Sequence, residues 1–298
     1  VTASVQVDVL AALHRACVQL GLSELDHEPV RISENSIFRL PGGVIARVSK
    51  QGQTAAAAKE VALARWLAAA GVPAVRVIET VDQPVVHFER AVTFWHELAP
   101  HRPGEPGQIA SALRRLHSLP VPDFAVPALD PFVRLAERIG GSTSFTPADR
   151  DWLRSRLAEL ESAYRHGLPP GLAHCVVHGD AWRGNVVATD DGEVVLLDLE
   201  RMAVGPPEWD LVSTAIKYTS FGFITAQDYQ DFVDGYGHDV TAWEGFELLR
   251  DVRELRMTTM AGQLAATDST FAGQAAHRLS CLRGEAGPRP WPGWVAVP

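Results

Sequence analysis

The stretch from Cys175 to Glu200, "CVVHGDAWRGNVVATDDGEVVLLDLE", constrains this chain more than any other. Two β-branched pairs, Val176-Val177 and Val186-Val187, bracket a loop that holds an imidazole, a carboxylate and a carboxamide, with glycines at 179 and 184. Short apolar runs bounded by turn residues read as strands, and glycine lets the connecting backbone turn tightly. A further apolar run, Val194–Leu197, follows Asp191-Gly192, a dipeptide favoured in two-residue hairpin turns. The stretch therefore predicts strand, loop, strand, turn, strand. A hairpin that reverses at Asp191-Gly192 brings its open ends together, so Asn185 and Asp198 are expected as neighbours. Asp180 lies five residues before Asn185 in the loop.

A purely structural loop needs polar turn residues, but seldom all three of these groups. An Asp beside an Asn offers the oxygen ligands that a hard cation such as Mg²⁺ takes from protein, the rest coming from water and phosphate. Asp180 is then free to accept a proton from an attacking hydroxyl. One base and two metal ligands form the arrangement of phosphoryl transfer.

The bulk properties agree with such a soluble enzyme. A chain of 298 residues is long enough for one large domain or two lobes, and no apolar run reaches the length of a membrane span. The opening "VTASVQVDVLAALHRACVQLGL" lacks the basic start and continuous apolar centre of a secretory signal. It reads instead as an amphipathic helix with Val5, Val9, Leu13, Ala16 and Leu20 on one stripe. Cys17, Cys175 and Cys281 are far apart and odd in number, which points to buried apolar thiols in a reducing, cytoplasmic setting rather than to disulfides. The net charge of −9 is unevenly spread: Asp180–Arg256 carries 16 acidic and 6 basic residues, and the remainder is close to neutral. Such a field disfavours nucleic acid and suits metal cations or a cationic substrate. Asp228, Asp231, Asp234, Glu244, Glu247 and Asp251 are candidates to line a pocket for amines, or simply form solvated helix faces.

Along the chain, "VRIS", "SIFRL" and "GVIARVSK" read as strands, followed by the helix "TAAAAKEVALARWLAAAG" with Gly71 and Pro73 at its end. "AVRVIET" and "PVVHFERAVTFW" read as two more strands around a turn at Asp82-Gln83. Beyond "ELAPHRPGEPG" the pattern is mainly helical: 105–119, 146–164 with Thr146 as N-cap and Pro147 in the first turn, and stretches near 208–220, 225–236, 241–265 and 270–283. The last residues, "GPRPWPGWVAVP", are too rich in Pro and Gly for regular structure, though two Trp suggest that they pack down.

"HGDAWRGN" followed by "LLDLE" resembles the H-G-D-x-x-x-x-N … D-x-E pattern of the aminoglycoside phosphotransferase family, small-molecule kinases distantly related to protein kinases. "ENSIFRL", "VIARV", "KEVALARWLAAAGVPA", "LRRLHSLP" and "GPPEWDLV" extend the resemblance over nearly the whole chain. The resemblance implies an α+β, bilobal protein-kinase-like fold. Residues 1–96 would form a nucleotide-binding lobe with a small antiparallel sheet and one main helix, and 97–298 a larger, mostly helical catalytic and substrate-binding lobe. It implies Asp180 as catalytic base, His178 as support of the loop by hydrogen bonding, and Asn185 and Asp198 as magnesium ligands. Arg47 would contact the α- and β-phosphates with Glu60 orienting it; many members carry Lys there, but Arg can make the same charge-assisted contact. Lys50 is the rival cation, on the other side of the strand, and Lys59 is expected in solvent. The kinase Gly-rich loop is absent, so backbone amides and the Ser36 hydroxyl would cover the phosphates. "DLE" stands in place of a protein kinase's D-F-G. Adenine would meet the segment around His96 and Leu98, with Trp95 either lining the pocket or belonging to the core. Trp182 and Arg183, inside the loop, and Glu200 are candidates for substrate contact, although Trp182 could instead pack beneath the loop. Asp210 either buttresses the loop or only charges a helix N-terminus.

The expected activity is ATP- (or GTP-) and Mg²⁺-dependent transfer of the γ-phosphoryl group to a hydroxyl of a small molecule, an aminoglycoside or another amine- or sugar-containing acceptor. Nucleotide and acceptor are the expected partners, with no nucleic acid and no membrane. A catalytically inactive nucleotide-binding module is the alternative. A metal-dependent hydrolase using His178, Asp180 and Asp198 would need further closely spaced ligands.

Overall fold

A computed structural model of the chain describes residues 3–22, 27–32 and 35–296. Two compact units are present. One comprises 1–104, 122–126 and 183–202; the other comprises 105–121, 127–182 and 203–298.

The first unit contains helix α1 (Ala3–Gln19), strands β1 (Glu28–Arg31), β2 (Ser36–Leu40) and β3 (Val44–Gln51), helix α2 (Thr54–Ala69), and strands β4 (Val85–His87) and β5 (Arg90–His96). These strands form one antiparallel sheet in the order β1-β2-β3-β5-β4. Alternating residues of the central strands (Phe38, Leu40, Ala46, Val48, Val92, Phe94) meet Val9, Ala12, Leu13, Ala16 and Cys17 of α1 in one buried cluster. That is the expected stripe at helical spacing; Leu20 is partly buried beside it, and the Val5 side chain lies outside the described residues. Helix α2 ends as its sequence suggests. Gly71 adopts φ +69°, and the Val72 N–H returns to the Leu67 carbonyl at 2.9 Å, a closure that glycine favours.

Two expectations for this unit need correction. "AVRVIET" is not a strand; it touches β5 only through the bridge Val77–Trp95. The Gln83 side chain stands in for the missing ladder. Its amide donates to Ile78 O (3.0 Å) and Phe94 O (3.2 Å), and its carbonyl accepts from Phe94 N (2.7 Å). The hairpin turn is at Phe88-Glu89, not Asp82-Gln83. Both of those residues have positive φ, as a two-residue turn of the right twist demands, and the register Val85–Val92, Val86–Ala91, His87–Arg90 imposes it.

Strands β6 (His101–Pro103), β8 (Val186–Thr189) and β9 (Val194–Leu196) form a second small sheet in the same unit, order β6-β8-β9. The hairpin therefore groups with the N-terminal segment, tied also by Val75 N to Leu196 O and Leu196 N to Pro73 O, each 3.0 Å.

The second unit is mostly helical: α3 (Pro106–His117), α4 (Leu135–Gly141), α5 (Pro147–Arg165), α6 (Glu208–Thr219), α7 (Ala226–Tyr236), α8 (Phe246–Thr267) and α9 (Ala272–Leu282). Strand β7 (Cys175–Val177) pairs with β10 (Ala203–Gly205). Helices α5 and α7 start with reciprocal caps, Thr146 with Asp149 and Thr225 with Asp228, which satisfy otherwise orphaned N–H groups. Helix α8 is buried along Leu249, Val252, Leu255 and Ala261. Trp291 and Trp294 pack down as expected. All three cysteines are buried and none is in a disulfide, and burial pushes the Cys175 thiol up to about 12. The architecture is thus α+β, an antiparallel-sheet unit and a helical one. Among the described residues no helix is long and apolar enough to cross a membrane.

Because Gln83 accepts from the buried Phe94 N–H and also bonds two carbonyls, Gln83→Ala should lower stability by about 1–3 kcal/mol, read as a reduced midpoint in urea denaturation.

Candidate active site

In the second unit, β7 leads into the turn His178-Gly179-Asp180. Gly179 has φ +84°, a conformation that side chains disfavour. The turn is held from below by Asp210 in the first turn of α6. Asp210 is fully buried. Its Oδ2 accepts from His178 N (2.6 Å), and its Oδ1 accepts from Gly179 N (2.9 Å). The preceding Trp209 donates its indole N–H to Gly179 O (3.1 Å), while Arg253 lies over the Trp209 ring at 4.0 Å and donates to its carbonyl. His117, on α3, places Nε2 3.1 Å from Asp210 Oδ2 and Nδ1 2.9 Å from the Tyr236 hydroxyl. With Nε2–H donating to the carboxylate, Nδ1 accepts from Tyr236. Burial alone would raise the Asp210 pKa, but the His117 hydrogen bond, with the nearby imidazoles and the Arg253 guanidinium, holds it below its ordinary value. Asp210 is therefore a buttress of the loop and more than a helix-terminal charge. His178 is wholly buried, and its Nδ1 accepts a long bond from Asp180 N (3.4 Å). Asp180 itself is half-buried. Trp182 is 44% exposed, so it does not pack beneath the loop.

In the first unit, Leu197 N donates to Asn185 O at 2.8 Å, which closes the open end of the β8–β9 hairpin and sets Asn185 against the residue before Asp198. Asp198 has φ +52° and ψ +68°. This left-handed conformation is uncommon outside glycine, though Asp tolerates it better than most, and it recurs where side chains are aimed for function. Asp198 is exposed and Asn185 half-buried. A short 3-10 turn, Leu199–Arg201, follows.

Arg47 on β3 binds both carboxylate oxygens of Glu60 on α2 (2.6 and 2.7 Å) and one of Glu200 (3.0 Å). Burial would lower the Arg47 pKa; the charges of Glu60, Asp198 and Glu200 more than offset it, so the net shift is upward. Burial also pushes the Glu60 carboxyl up, against the pull of Arg47. Lys59 is not the solvated side chain expected. Its ammonium donates to Glu200 O (2.7 Å) and Met202 O (3.3 Å), clasping the segment after Asp198, and burial lowers its pKa. Lys50 is exposed.

Ser36 opens β2, buried, opposite Val48 in register. Trp95 is buried and donates to Thr93 Oγ1 (2.9 Å). His96 is exposed at the end of β5, its N–H given to Arg76 O (2.8 Å), and Leu98 follows half-buried. Arg183 is exposed beside Trp182.

A family model described as "Phosphotransferase enzyme family" (APH) matches residues 31–249, from β1 to α8. The chain belongs to this family. Its kinase-like fold is shared with solved structures of low identity. One is a choline/ethanolamine kinase family protein from Mesorhizobium loti, with a TM-score of 0.60 at 19% identity over 89% of this chain and 90% of that one. Another is the amicoumacin kinase hAmiN in complex with AMP-PNP, Ca²⁺ and Ami, with a TM-score of 0.67 at 14% identity over 92% of each chain. A third is the aminoglycoside phosphotransferase APH(3'')-Id from Streptomyces rimosus, with a TM-score of 0.56 at 22% identity over 76% of this chain and 92% of that one. No curated protein matches the sequence.

In this phosphotransferase, Asn185 and Asp198 supply the hard oxygen donors that suit a divalent cation. Among the described residues no group of three or more His, Cys, Asp or Glu side chains is arranged to hold a metal. A cation on Asn185 and Asp198 would take its other ligands from phosphate and water, as Mg²⁺ prefers. The acidic helices are largely occupied with local bonding. Asp228 caps α7, Asp231 and Asp234 accept from Gln227 and Gln230, and Asp251 pairs with Arg156, Arg250 and Arg289. The solvated-face reading therefore describes them better than an amine pocket.

The support from His117 and Tyr236 was missed by sequence reasoning. "LRRLHSLP" carried the family resemblance, but nothing in its helical spacing marks His117 as facing a carboxylate. Because the folded Asp210 pKa is depressed, its ionised form contributes stability that is complete above the ordinary carboxyl value. That contribution is lost as the pH falls through the lower, folded value. Urea denaturation of Asp210→Asn across the acid range should thus show a lower plateau at neutral pH, by about 2–4 kcal/mol, and a shallower decline on acidification.

Proposed function

We propose that the protein transfers the γ-phosphoryl group of ATP or GTP to a hydroxyl of a small molecule. The observation that carries this reading is the closed hairpin end, where Asn185 is set beside the residue preceding a left-handed, exposed Asp198. In the proposed reaction Asp180 accepts the proton of the acceptor hydroxyl. The acceptor oxygen forms a bond to the γ-phosphorus as the bond to the β–γ bridging oxygen breaks, and the nucleoside diphosphate leaves. Asn185 and Asp198 would hold Mg²⁺, which when bound neutralises charge on the phosphates. Arg47, oriented by Glu60, would reach the α- and β-phosphates, with Ser36 near them and the base along 95–98. His178 would keep the loop in register. Trp182, Arg183 and Glu200 would face the acceptor. Catalysis of this kind rests on positioning and charge stabilisation.

The solved neighbours named for choline/ethanolamine, amicoumacin and aminoglycoside kinases support a small-molecule acceptor. The AMP-PNP and Ca²⁺ bound to the amicoumacin kinase support a nucleotide with a divalent cation.

Asp180→Ala should reduce phosphoryl transfer by at least about 100-fold, the contribution of a general base, with nucleotide affinity nearly unchanged in equilibrium binding. Asp198→Ala should abolish the Mg²⁺ dependence of nucleotide binding, seen by titration with and without the metal. The decisive assay is turnover of ATP and GTP with Mg²⁺ against a panel of amine and sugar alcohols. Transfer to a panel member establishes the kinase. Phosphate release without an acceptor indicates a hydrolase, and saturable binding without turnover indicates a binding module.

A further inference from the structure

A second site lies wholly within the helical unit. A cavity of about 360 Å³ is lined by Tyr164 at the end of α5, the loop 168–172, His174, Pro206, Glu208 and Trp243. None of Asp180, Asn185 or Asp198 lines it. Its volume falls in the range of small-molecule pockets, which are largely apolar with a few placed polar groups. Two aromatic rings, prolines and leucines make its walls.

Glu208 is its one carboxylate, and it is held in an unusual state. The side chain has no exposed surface. Oε1 accepts from Leu172 N at 2.6 Å, whereas Oε2 has no hydrogen-bond partner among the described residues. The surrounding loop is shaped to this carboxylate. A Cβ on Gly171 would fall 2.3 Å from Oε1 and 3.1 Å from the Trp243 indole nitrogen, so only glycine leaves room for both. Trp243 Nε1 is committed to Pro170 O (2.9 Å), which fixes its ring against the loop and leaves none of its polar atoms for Glu208. No arginine or lysine lines the cavity. Buried carboxylates are ordinarily paired or hydrogen-bonded through both oxygens. His174 is the one basic side chain on the lining, and it makes no hydrogen bond to Glu208, whose Oε2 is left without a donor.

We propose that this cavity binds a small organic cation with a primary amine. The ammonium would donate to Glu208 Oε2, and the apolar body would lie against Trp243 and Tyr164, where a cation also gains from the ring faces. This site is separate from the acceptor site of the proposed reaction and does not depend on it.

The test uses the full chain, benzylamine as the probe, and benzyl alcohol as its neutral counterpart of the same shape, both titrated by calorimetry or NMR. Benzylamine is expected to bind saturably at one site, at least about tenfold more tightly than benzyl alcohol, as a charge-assisted bond to a buried carboxylate requires. Glu208→Gln should erase that preference, and Trp243→Leu should weaken benzylamine about threefold. Asp180→Ala should leave benzylamine binding unchanged, which separates this site from the candidate active site. Should Glu208→Gln not fold, as judged by its circular dichroism melt, Trp243→Leu and the amine-to-alcohol ratio carry the test. Equal affinity for amine and alcohol, no saturable binding of benzylamine up to the millimolar range, or loss of binding in Asp180→Ala would each overturn the proposal.

Discussion

The geometry of the loop His178-Gly179-Asp180 depends on one buried anion. Asp210 carries its charge into a site without solvent exposure, where an unpaired carboxylate would be intolerable. It is tolerated because two consecutive backbone N–H groups, from His178 and Gly179, and one imidazole converge on its two oxygens. Hydrogen bonds to an ionised acceptor are stronger than neutral ones, and in a low-dielectric interior they are stronger still. The same contacts that solvate the carboxylate therefore fix the path of the backbone just before Asp180. Trp209, in turn pinned by Arg253, adds a bond to the Gly179 carbonyl. The loop is supported on both its N–H and C=O groups from the first turn of one helix.

A second charged cluster organises the sheet unit. Arg47 is divided between Glu60 and Glu200, and Asp198 acts on it at longer range. Three carboxylates around one guanidinium leave that neighbourhood net negative, which favours a positive ion joining it. Lys59 reaches the carbonyls of Glu200 and Met202 and brings its charge near Glu200 and Glu60, so it shapes the turn after Asp198 and offsets part of that imbalance. Glu200 is held by Arg47 at 3.0 Å. In the proposed reaction an incoming polyphosphate would compete with Glu200 for the same guanidinium.

Much of this was legible because the relevant signals are local. Asp191-Gly192 demands a hairpin turn, and the apolar pairs on either side are too short for anything but strands, so the juxtaposition of Asn185 with the start of the Asp198 turn followed from counting residues. Thr146 and Pro147 marked a helix start for the same reason: a cap and its partner lie within one turn. Phe88-Glu89 was illegible as a turn because neither residue favours positive φ; the pairing of β4 with β5 forces it. The failure of "AVRVIET" as a strand has a similar cause. Its alternation is genuine, but the side chain of Gln83 occupies the edge of β5 that a full strand would need.

By itself the sequence determined most of the strands and helices and the closed end of the hairpin that sets Asn185 against Leu197, since these rest on spacing, turn chemistry and hydrophobic period. Only the tertiary structure decided who supports them: His117 and Tyr236 behind Asp210, Glu200 and Lys59 around Arg47, and the lone oxygen of Glu208 beside its cavity. His117 and Asp210 are 93 positions apart and Arg47 and Glu200 are 153 apart, and no local preference encodes a distance across the chain. Such contacts arise when burial removes water and each charged group must be answered by whatever side chain or backbone the packing brings near.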